Sequence, residues 1–399
     1  MSDNGDMAQL VGDLQSADGK TRLRAVRALW QMSSSTFEPH PAFDAIVPLL
    51  FDREPAVRVT VAAMLGFLSD ERAVGSLLVA LGDRSYKVRC NAAVSLGNVT
   101  AAAFFRKACG DDDVELPPII EPLSLSAKDR HEYVRAGAAK ALGRTKHADA
   151  VPALIDLLKD SNARVRATAA AGLREFDRAE AAKPLQEALS DEDAEVRRYA
   201  AEALGMPSFA EGAATLTELL KDESPEVRKG AAAGLGHAGR PEAVAELVRA
   251  LSDSDSSVRE SAAIALGELE DPAAMEALMK AMLEDSDEYV RQAASGALWY
   301  MADERAVEPL IAALEDDWLH VRENAAEILG DLGDMRAFDP LVRVLSDPSL
   351  YTRAHAATSL SELGDRRAVE HIRPLLDDED DFVRDAARDA LKQLRDQGH

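Results

Sequence analysis

The chain contains 399 residues, 47% of them apolar, and carries a formal charge of −25. Such a charge repels nucleic-acid phosphates and anionic lipid headgroups, so the composition argues against non-specific binding to DNA, RNA or membrane surfaces. Two cysteines are too few for a disulfide framework or a four-cysteine metal site. The first residues show no secretory signal, and no apolar stretch is long enough to span a membrane, so we expect a cytoplasmic protein.

The charged residues are unevenly chosen. Aspartate outnumbers glutamate by 39 to 32, while only 12 of the 46 basic residues are lysine. Surfaces rich in aspartate and poor in lysine suit a saline cytoplasm, where salt screens the repulsion between like charges. We therefore hypothesise a halophilic adaptation.

The predicted elements follow one unit that occurs twelve times. Val-Arg followed by an alanine-rich run recurs along the chain, as in VRCNAAVSLG, VRESAAIALG and VRENAAEILG, with two degenerate copies beginning TR. The arginines of this motif, here called the repeat arginines, are Arg22, Arg58, Arg89, Arg135, Arg166, Arg197, Arg228, Arg259, Arg291, Arg322, Arg353 and Arg384. Eight of the eleven intervals between them are 31 residues, which is typical of a helical-repeat array.

Each unit predicts two antiparallel helices. An apolar run such as AVAELVRAL forms the first helix, and a leucine seven residues after the repeat arginine completes an i, i+4, i+8 stripe on the second. N-cap residues that mark the start of the second helix stand four residues before the arginine at Asp18, Ser85, Asn162, Asp193, Ser224, Asp255, Asp287, Ser349 and Asp380. Glycines expected to end it are Gly66, Gly97, Gly143, Gly205, Gly236, Gly267 and Gly330.

A pair of short helices cannot bury its own apolar faces, so neighbouring pairs must stack. The sequence therefore predicts an all-α fold, a right-handed α-α superhelix of about twelve helix pairs, as a single solenoid over residues 1–399. The approximate units are 6–39, 40–70, 71–100, an insertion at 101–114, 115–147, 148–178, 179–209, 210–240, 241–271, 272–303, 304–334, 335–365 and 366–395.

The motif D-x-x-x-x-V-R-x-x-A-A-x-A-L-G resembles the HEAT-repeat family, and within it the short repeats named after the phycobilin lyases. The resemblance runs from about Asp6 to Arg395. It implies an armadillo-like or HEAT-like solenoid, but the family is broad in function.

An aspartate stands six residues before the repeat arginine in eleven of the twelve units, and it is called here the repeat aspartate. A pair that recurs in every unit is not a single active site. The resemblance implies instead a structural ladder between neighbouring units. Its central members are Asp160, Arg166, Asp191, Arg197, Asp222, Arg228, Asp253, Arg259, Asp285, Arg291, Asp316 and Arg322.

Few residues suggest catalysis or metal binding. Deoxyhypusine hydroxylases are HEAT-type enzymes with His-Glu dipeptides directly after the arginine, and no histidine stands there in this chain. His131 occupies an N-cap position instead. The acidic run Asp111–Asp113 beside Glu115 reads as a solvated loop, with a weak cation site as the alternative. We predict no catalytic residue, no cofactor and no metal.

Candidate partner-binding residues lie one and five positions after the repeat arginine, which line the concave groove in the family that the motif resembles. In the last five units these positions are largely acidic: Glu260, Gln292, Glu323, Glu327, Asp385 and Asp389. Two interpretations remain open. The residues are either solvated positions filled under a general acidic bias, or an acidic half-groove for a basic segment of a partner.

Two departures from the period add aromatic candidates. The insertion carries Phe104 and Phe105, which either pack over the groove or form a binding site. Trp299 and Tyr300 replace the usual glycine turn, and Trp318 follows in the next unit; these rings serve either as packing between units or as interface anchors.

The predicted function is that of a non-enzymatic scaffold that binds a partner protein or peptide along its groove, with no nucleic acid. The alternative is a bilin-lyase-like or other chromophore-handling protein, which co-purified pigment would favour. A nucleic-acid-binding or metal-dependent HEAT enzyme is a weaker alternative, since the groove turns acidic.

Overall fold

The computed structural model describes residues 3–32, 40–109, 118–205, 213–301 and 303–396. Helices and turns make up these residues, and no strand occurs among them. The chain divides into two compact units, residues 1–208 and residues 209–399, each of which holds six of the twelve repeats. The prediction of an all-helical repeat fold is confirmed.

The helices of the first unit pair in chain order, a first and a second helix in each repeat. They are α1 (Asp3–Asp13), α2 (Gly19–Met32), α3 (Phe43–Ile46), α4 (Pro55–Leu68), α5 (Val74–Ala80), α6 (Tyr86–Ala108), α7 (Ile120–Ser126), α8 (Glu132–Arg144), α9 (Val151–Leu157), α10 (Ala163–Leu173), α11 (Ala182–Ala188) and α12 (Ala194–Leu204). Short 3-10 segments extend several first helices, at Val47–Phe51, Glu71–Ala73, Ala148–Ala150 and Ala179–Ala181.

The second unit repeats this order. Its helices are α13 (Ala213–Leu219), α14 (Pro225–His237), α15 (Val244–Ala250), α16 (Ser256–Leu269), α17 (Met275–Glu284), α18 (Glu288–Met301), α19 (Val307–Ala313), α20 (Leu319–Leu332), α21 (Phe338–Val344), α22 (Leu350–Glu362), α23 (Ala368–Ile372) and α24 (Asp381–Asp396). Its 3-10 segments are Pro241–Ala243, Pro272–Ala274, Glu304–Ala306, Met335–Ala337 and Arg373–Asp377.

The apolar stripe of each second helix forms the core. In α16 the side chains of Val258, Ala262 and Leu266 are buried, as their i, i+4, i+8 spacing predicts. The leucine seven residues after the repeat arginine is buried in every repeat except the twelfth, where Leu391 is partly exposed. Burial of these leucines against neighbouring helices is the main force that holds each unit together.

Most of the predicted N-caps are present. The side chains of six of the nine residues accept a backbone N–H of the first helical turn: Asp18, Asp193, Asp255, Asp287, Ser349 and Asp380. Ser85, Asn162 and Ser224 start their helices without such a bond. His131 does cap α8, since its Nδ1 accepts the N–H of Tyr133 at 3.4 Å.

The prediction that glycines end the second helices is wrong for six of the seven. Gly66, Gly97, Gly143, Gly236, Gly267 and Gly330 lie inside their helices. They allow close helix packing instead: a Cβ on Gly267 would lie 2.9 Å from the Cα of Ala297 on the next second helix. Gly205 does stand at the C-cap of α12, with right-handed backbone. The left-handed ends of α16 and α20 belong to Glu270 and Gly333.

Candidate functional site

In each of the two compact units, repeat arginines form a regular series of forked hydrogen bonds, here called arginine forks. Nε and Nη2 of Arg259 donate to the two carboxylate oxygens of Asp285 in the next repeat, at 2.7 and 2.8 Å, and Nη1 donates to the carbonyl of Asp253 in its own repeat at 2.9 Å. The same fork joins Arg22 to Asp52, Arg58 to Asp83, Arg89 to Asp129, Arg135 to Asp160, Arg166 to Asp191, Arg228 to Asp253, Arg291 to Asp316, Arg322 to Asp347 and Arg353 to Asp378. Bidentate pairing of this kind fixes both distance and orientation.

The repeat aspartates also order the turn between the two helices. Oδ1 of Asp285 accepts the N–H of Asp287 at 2.9 Å. Burial alone would raise the pKa of Asp285, but the Arg259 guanidinium and this N–H lower it, so that the pKa lies below its usual value. Of the remaining predicted members, Arg197 donates to the carbonyl of Asp191 at 2.9 Å, and Asp222 accepts the N–H of Ser224 at 2.9 Å. The repeat carboxylates are therefore engaged within the protein.

The predicted groove residues lie on the second helices, but two of them already bond to neighbouring repeats. The Trp318 indole N–H donates to Oε1 of Gln292 at 3.2 Å. Glu323 accepts the Ser349 hydroxyl at 3.0 Å and lies 2.8 Å from Nδ1 of His320. Gln292 and Glu323 therefore link successive repeats, and both residues are also partly exposed to solvent.

The other four predicted acidic positions differ in their surroundings. Glu260 and Glu327 are partly exposed, while Asp385 and Asp389 are exposed. Oε2 of Glu327 lies 3.8 Å from Nδ1 of His355. Asp385 forms a close ion pair with Arg388 on its own helix. Of these four residues, Glu327 also belongs to a larger group of carboxylates.

That group consists of Glu327, Asp331 and Glu362 on α20 and α22, and is called here the carboxylate cluster. Partial burial raises the pKa of Glu362, and the negative charges of Asp331 and Glu327 raise it further. Asp331 and Glu362 stand nine residues after their repeat arginines, one helical turn beyond the predicted groove positions. The motif does not predict them, because the predicted groove positions end at the fifth residue after the repeat arginine. The three carboxylates of the cluster lie close enough together for their charges to interact.

Trp299 borders this cluster. Its indole N–H donates to Oδ2 of Asp331 at 2.8 Å. Trp299 stands eight residues after its repeat arginine, where other second helices have the glycine that lets them pack closely. Helices α18 and α20 approach each other less closely than α16 and α18 do. The Trp299 and Tyr300 side chains remain 45% and 65% exposed. Trp299 therefore bonds to the next repeat, and both Trp299 and Tyr300 have a large solvent-facing surface.

The insertion lengthens the second helix of the third repeat. Helix α6 continues to Ala108. Phe104 and Phe105 lie on this extension and are 45% and 59% exposed. The acidic run at Asp111–Asp113 and Glu115 lies outside the described residues. The extension presents apolar surface in the first unit, distant in sequence from the acidic repeats.

Comparison with known sequences decides the family. A profile described as HEAT repeats matches residues 8–97, 43–116, 120–205, 213–299, 275–349 and 307–392. The chain belongs to the HEAT-repeat family. The finer resemblance to repeats of the phycobilin-lyase type stays a prediction. No curated protein matches this HEAT-repeat chain.

Solved structures share the HEAT-repeat fold. Importin beta, crystallised in an ammonium sulfate condition, is 16% identical, with a TM-score of 0.59 over 98% of this chain and 61% of that one. A structure of Kap95p bound to RanGDP gives 15% identity, a TM-score of 0.58 and the same two coverages. This chain thus spans about three fifths of their length. A human deoxyhypusine hydroxylase structure is 24% identical over 62% of this chain and 96% of that one, but its TM-score of 0.29 supports no argument about activity.

No group of three or more His, Cys, Asp or Glu side chains among the described residues is arranged to hold a metal ion. Among the same residues, every helix is too short or too polar to cross a bilayer. The strongest candidate site is the exposed second-helix surface of repeats 9 to 11, because it combines the carboxylate cluster with the exposed Trp299 and Tyr300 side chains.

Proposed function

We propose that this chain is a non-enzymatic scaffold that binds a basic segment of a partner protein. The binding surface is formed by α18, α20 and α22, with Trp299 and Tyr300 beside the carboxylate cluster. Membership of the HEAT-repeat family and the importin-like fold support an interaction role. The observation that carries the proposal is the grouping of Glu327, Asp331 and Glu362 beside Trp299, whose indole N–H donates to Asp331 and whose side chain is 45% exposed.

This observation favours a cationic partner for an electrostatic reason. Neighbouring carboxylates repel one another, and a lysine or arginine brought between them removes that repulsion while gaining ion pairs. Aromatic rings at the border add contact area and accept cations on their faces. Trp299 and Tyr300 supply such rings, and both are accessible to solvent.

The test is a binding titration with a fluorescent lysine-rich peptide of about fifteen residues. The double variant Glu327→Gln/Glu362→Gln should bind it about two- to thirtyfold more weakly at low salt, because each exposed ion pair is worth about 0.2–1 kcal/mol. The affinity of the wild type should fall as KCl rises, and the variant should show a smaller salt dependence.

A matched control separates this surface from general charge. Asp339→Asn/Glu370→Gln removes the same two charges from exposed positions on the first helices α21 and α23. Its affinity for the peptide should stay within twofold of the wild type. Equal weakening in both double variants would contradict the proposal, as would tight binding of a glutamate-rich peptide of the same length.

A further inference from the structure

A second exposed feature lies at the first turns of the second helices. Repeats 9 to 12 each carry an aromatic residue two positions before the repeat arginine, and Trp318 stands two residues before the second of them. This group, called here the aromatic row, consists of Tyr289, Trp318, His320, Tyr351 and Phe382. The four repeat positions are spaced by 31 residues, in a chain whose aromatic content is 5%.

The rings form two edge-to-face groups along the second unit. In the first group the Tyr289 and Trp318 centroids are 5.8 Å apart and those of Trp318 and His320 are 5.5 Å apart, and in the second group those of Tyr351 and Phe382 are 5.7 Å apart. Tyr289, Tyr351 and Phe382 are 54%, 51% and 51% exposed. Ring groups that leave half of each of these side chains in water are an unusual surface for a free protein.

Three of the four turns around the row are more acidic than those of the preceding repeats. Residues 284–291, 315–322, 346–353 and 377–384 have formal charges of −3, −2, 0 and −4. The corresponding segments of repeats 7 and 8, residues 221–228 and 252–259, have a formal charge of −1 each and no aromatic residue. Negative charge and rings therefore coincide in repeats 9, 10 and 12, which favours a cationic occupant.

The same position in the first unit shows how a cation meets these rings. Arg164 and Tyr133 both stand two residues before their repeat arginines, and the Arg164 guanidinium lies 5.3 Å from the Tyr133 ring centroid. In repeats 9 to 12 all four equivalent positions hold rings, so none of them supplies a guanidinium. Arg291 and Arg322, which lie nearby in sequence, are bound to Asp316 and Asp347.

The spacing of the repeats selects an extended ligand. Packed helices lie about 8–10 Å apart. A polyproline-II segment has three residues per turn and a rise of about 3.1 Å, so every third side chain returns to the same side after about 9 Å. One side chain in three can thus meet one repeat after another.

We propose that the aromatic row binds an extended, arginine-containing segment of a partner protein, in which every third residue brings a guanidinium past successive repeats and onto the ring surfaces that the edge-to-face groups leave in water. Arginine fits better than lysine because its planar group stacks on a ring and also forms forked bonds to carboxylates. The inference rests on the scaffold function but uses a different surface from the carboxylate cluster, namely the turns that begin α18, α20, α22 and α24.

The test uses the full chain and a dye-labelled (Pro-Pro-Arg)4 peptide. Tyr351→Ala/Phe382→Ala should weaken its binding by about five- to thirtyfold, which corresponds to about 0.5–1 kcal/mol for each ring at 1.4 kcal/mol per tenfold change. Both side chains are half exposed, and an unchanged far-ultraviolet circular dichroism spectrum verifies the fold. A peptide of the same composition with its four arginines clustered at one end should bind more weakly than the regular one.

Two results would overturn the inference: wild-type affinity in Tyr351→Ala/Phe382→Ala, or equal affinity for the regular and the clustered peptides. The variant Glu327→Gln/Glu362→Gln distinguishes a failure of the aromatic row from a failure of the proposed scaffold surface at the carboxylate cluster. If (Pro-Pro-Arg)4 loses affinity only in that variant, the row is not the site and the carboxylate cluster is. If it loses affinity only in the row variant, the aromatic row stands independently of the cluster.

Discussion

Replacement of Arg259 by alanine removes one complete fork between two repeats. The change deletes two bonds to Asp285 and one to the carbonyl of Asp253. It leaves the Asp285 carboxylate, whose side chain is 9% exposed, with the Asp287 N–H as its remaining partner among the bonds described above. Loss of one partner of a largely buried ion pair is far more harmful than loss of an exposed one.

The expected destabilisation is about 3 kcal/mol. Breaking a buried pair costs roughly 3–5 kcal/mol, and the lower end applies because the Arg259 side chain is still 13% exposed. Urea unfolding followed by circular dichroism at 222 nm measures the effect. Arg367→Ala is the matched control, since that guanidinium is 66% exposed and pairs with Asp365 in its own repeat. Its unfolding midpoint should not move.

A double-mutant cycle isolates the pair from the rest of the change. Arg259→Ala and Asp285→Ala should each destabilise the protein, and the double variant should lose less than the sum of the two, because the second change removes a charge that has already lost its partner. The reasoning is refuted if the two effects add, or if Arg259→Ala shifts the midpoint no more than Arg367→Ala does.

Three further results are expected. Gly267→Ala should destabilise the second unit by about 1–3 kcal/mol, since its Cβ meets the α18 backbone, whereas Gly75→Ala, with no atom within 4 Å, should be neutral or gain up to about 1 kcal/mol in the same urea assay. The repeat aspartates, such as Asp285, have lowered pKa values, so the stability that they contribute is present above about pH 4 and is lost on further acidification. The urea unfolding midpoint should therefore decrease as the pH is lowered from about 5 to about 3, and it should decrease more in the wild type than in Arg259→Ala. If the acidity is halophilic, helicity and thermal midpoint should rise from low to molar KCl, and a fold indifferent to salt would disprove that hypothesis.

Much of the fold could be predicted because its signals repeat. A leucine that recurs seven residues after each of twelve arginines fixes the buried face of the second helix, whatever the single repeat contains. The role of the glycines could not be read in the same way. Glycine favours both helix ends and close helix contacts, and only the position of Ala297 against Gly267 distinguishes the two.

The site was less predictable, for physical reasons. Asp331 and Glu362 are ordinary acidic residues in the sequence, and only the folded chain combines the partial burial of Glu362 with the nearby charges of Asp331 and Glu327 that raise its pKa. Gln292 and Glu323 were chosen correctly as second-helix residues, but their bonds to the next repeat are not visible in a motif. The aromatic row, by contrast, has a sequence signal, because its four repeat positions share the 31-residue period.

Photo-crosslinking tests directly whether a basic segment binds on the surface of α18, α20 and α22. A lysine-rich peptide with one photoreactive residue is bound to the full chain at low salt, irradiated, and its attachment sites are mapped by mass spectrometry. We expect crosslinks on the second helices α18, α20 and α22, and we expect fewer of these crosslinks in Glu327→Gln/Glu362→Gln. Crosslinks that fall mainly on the first helices α19 and α21, or evenly on all acidic turns, would contradict it.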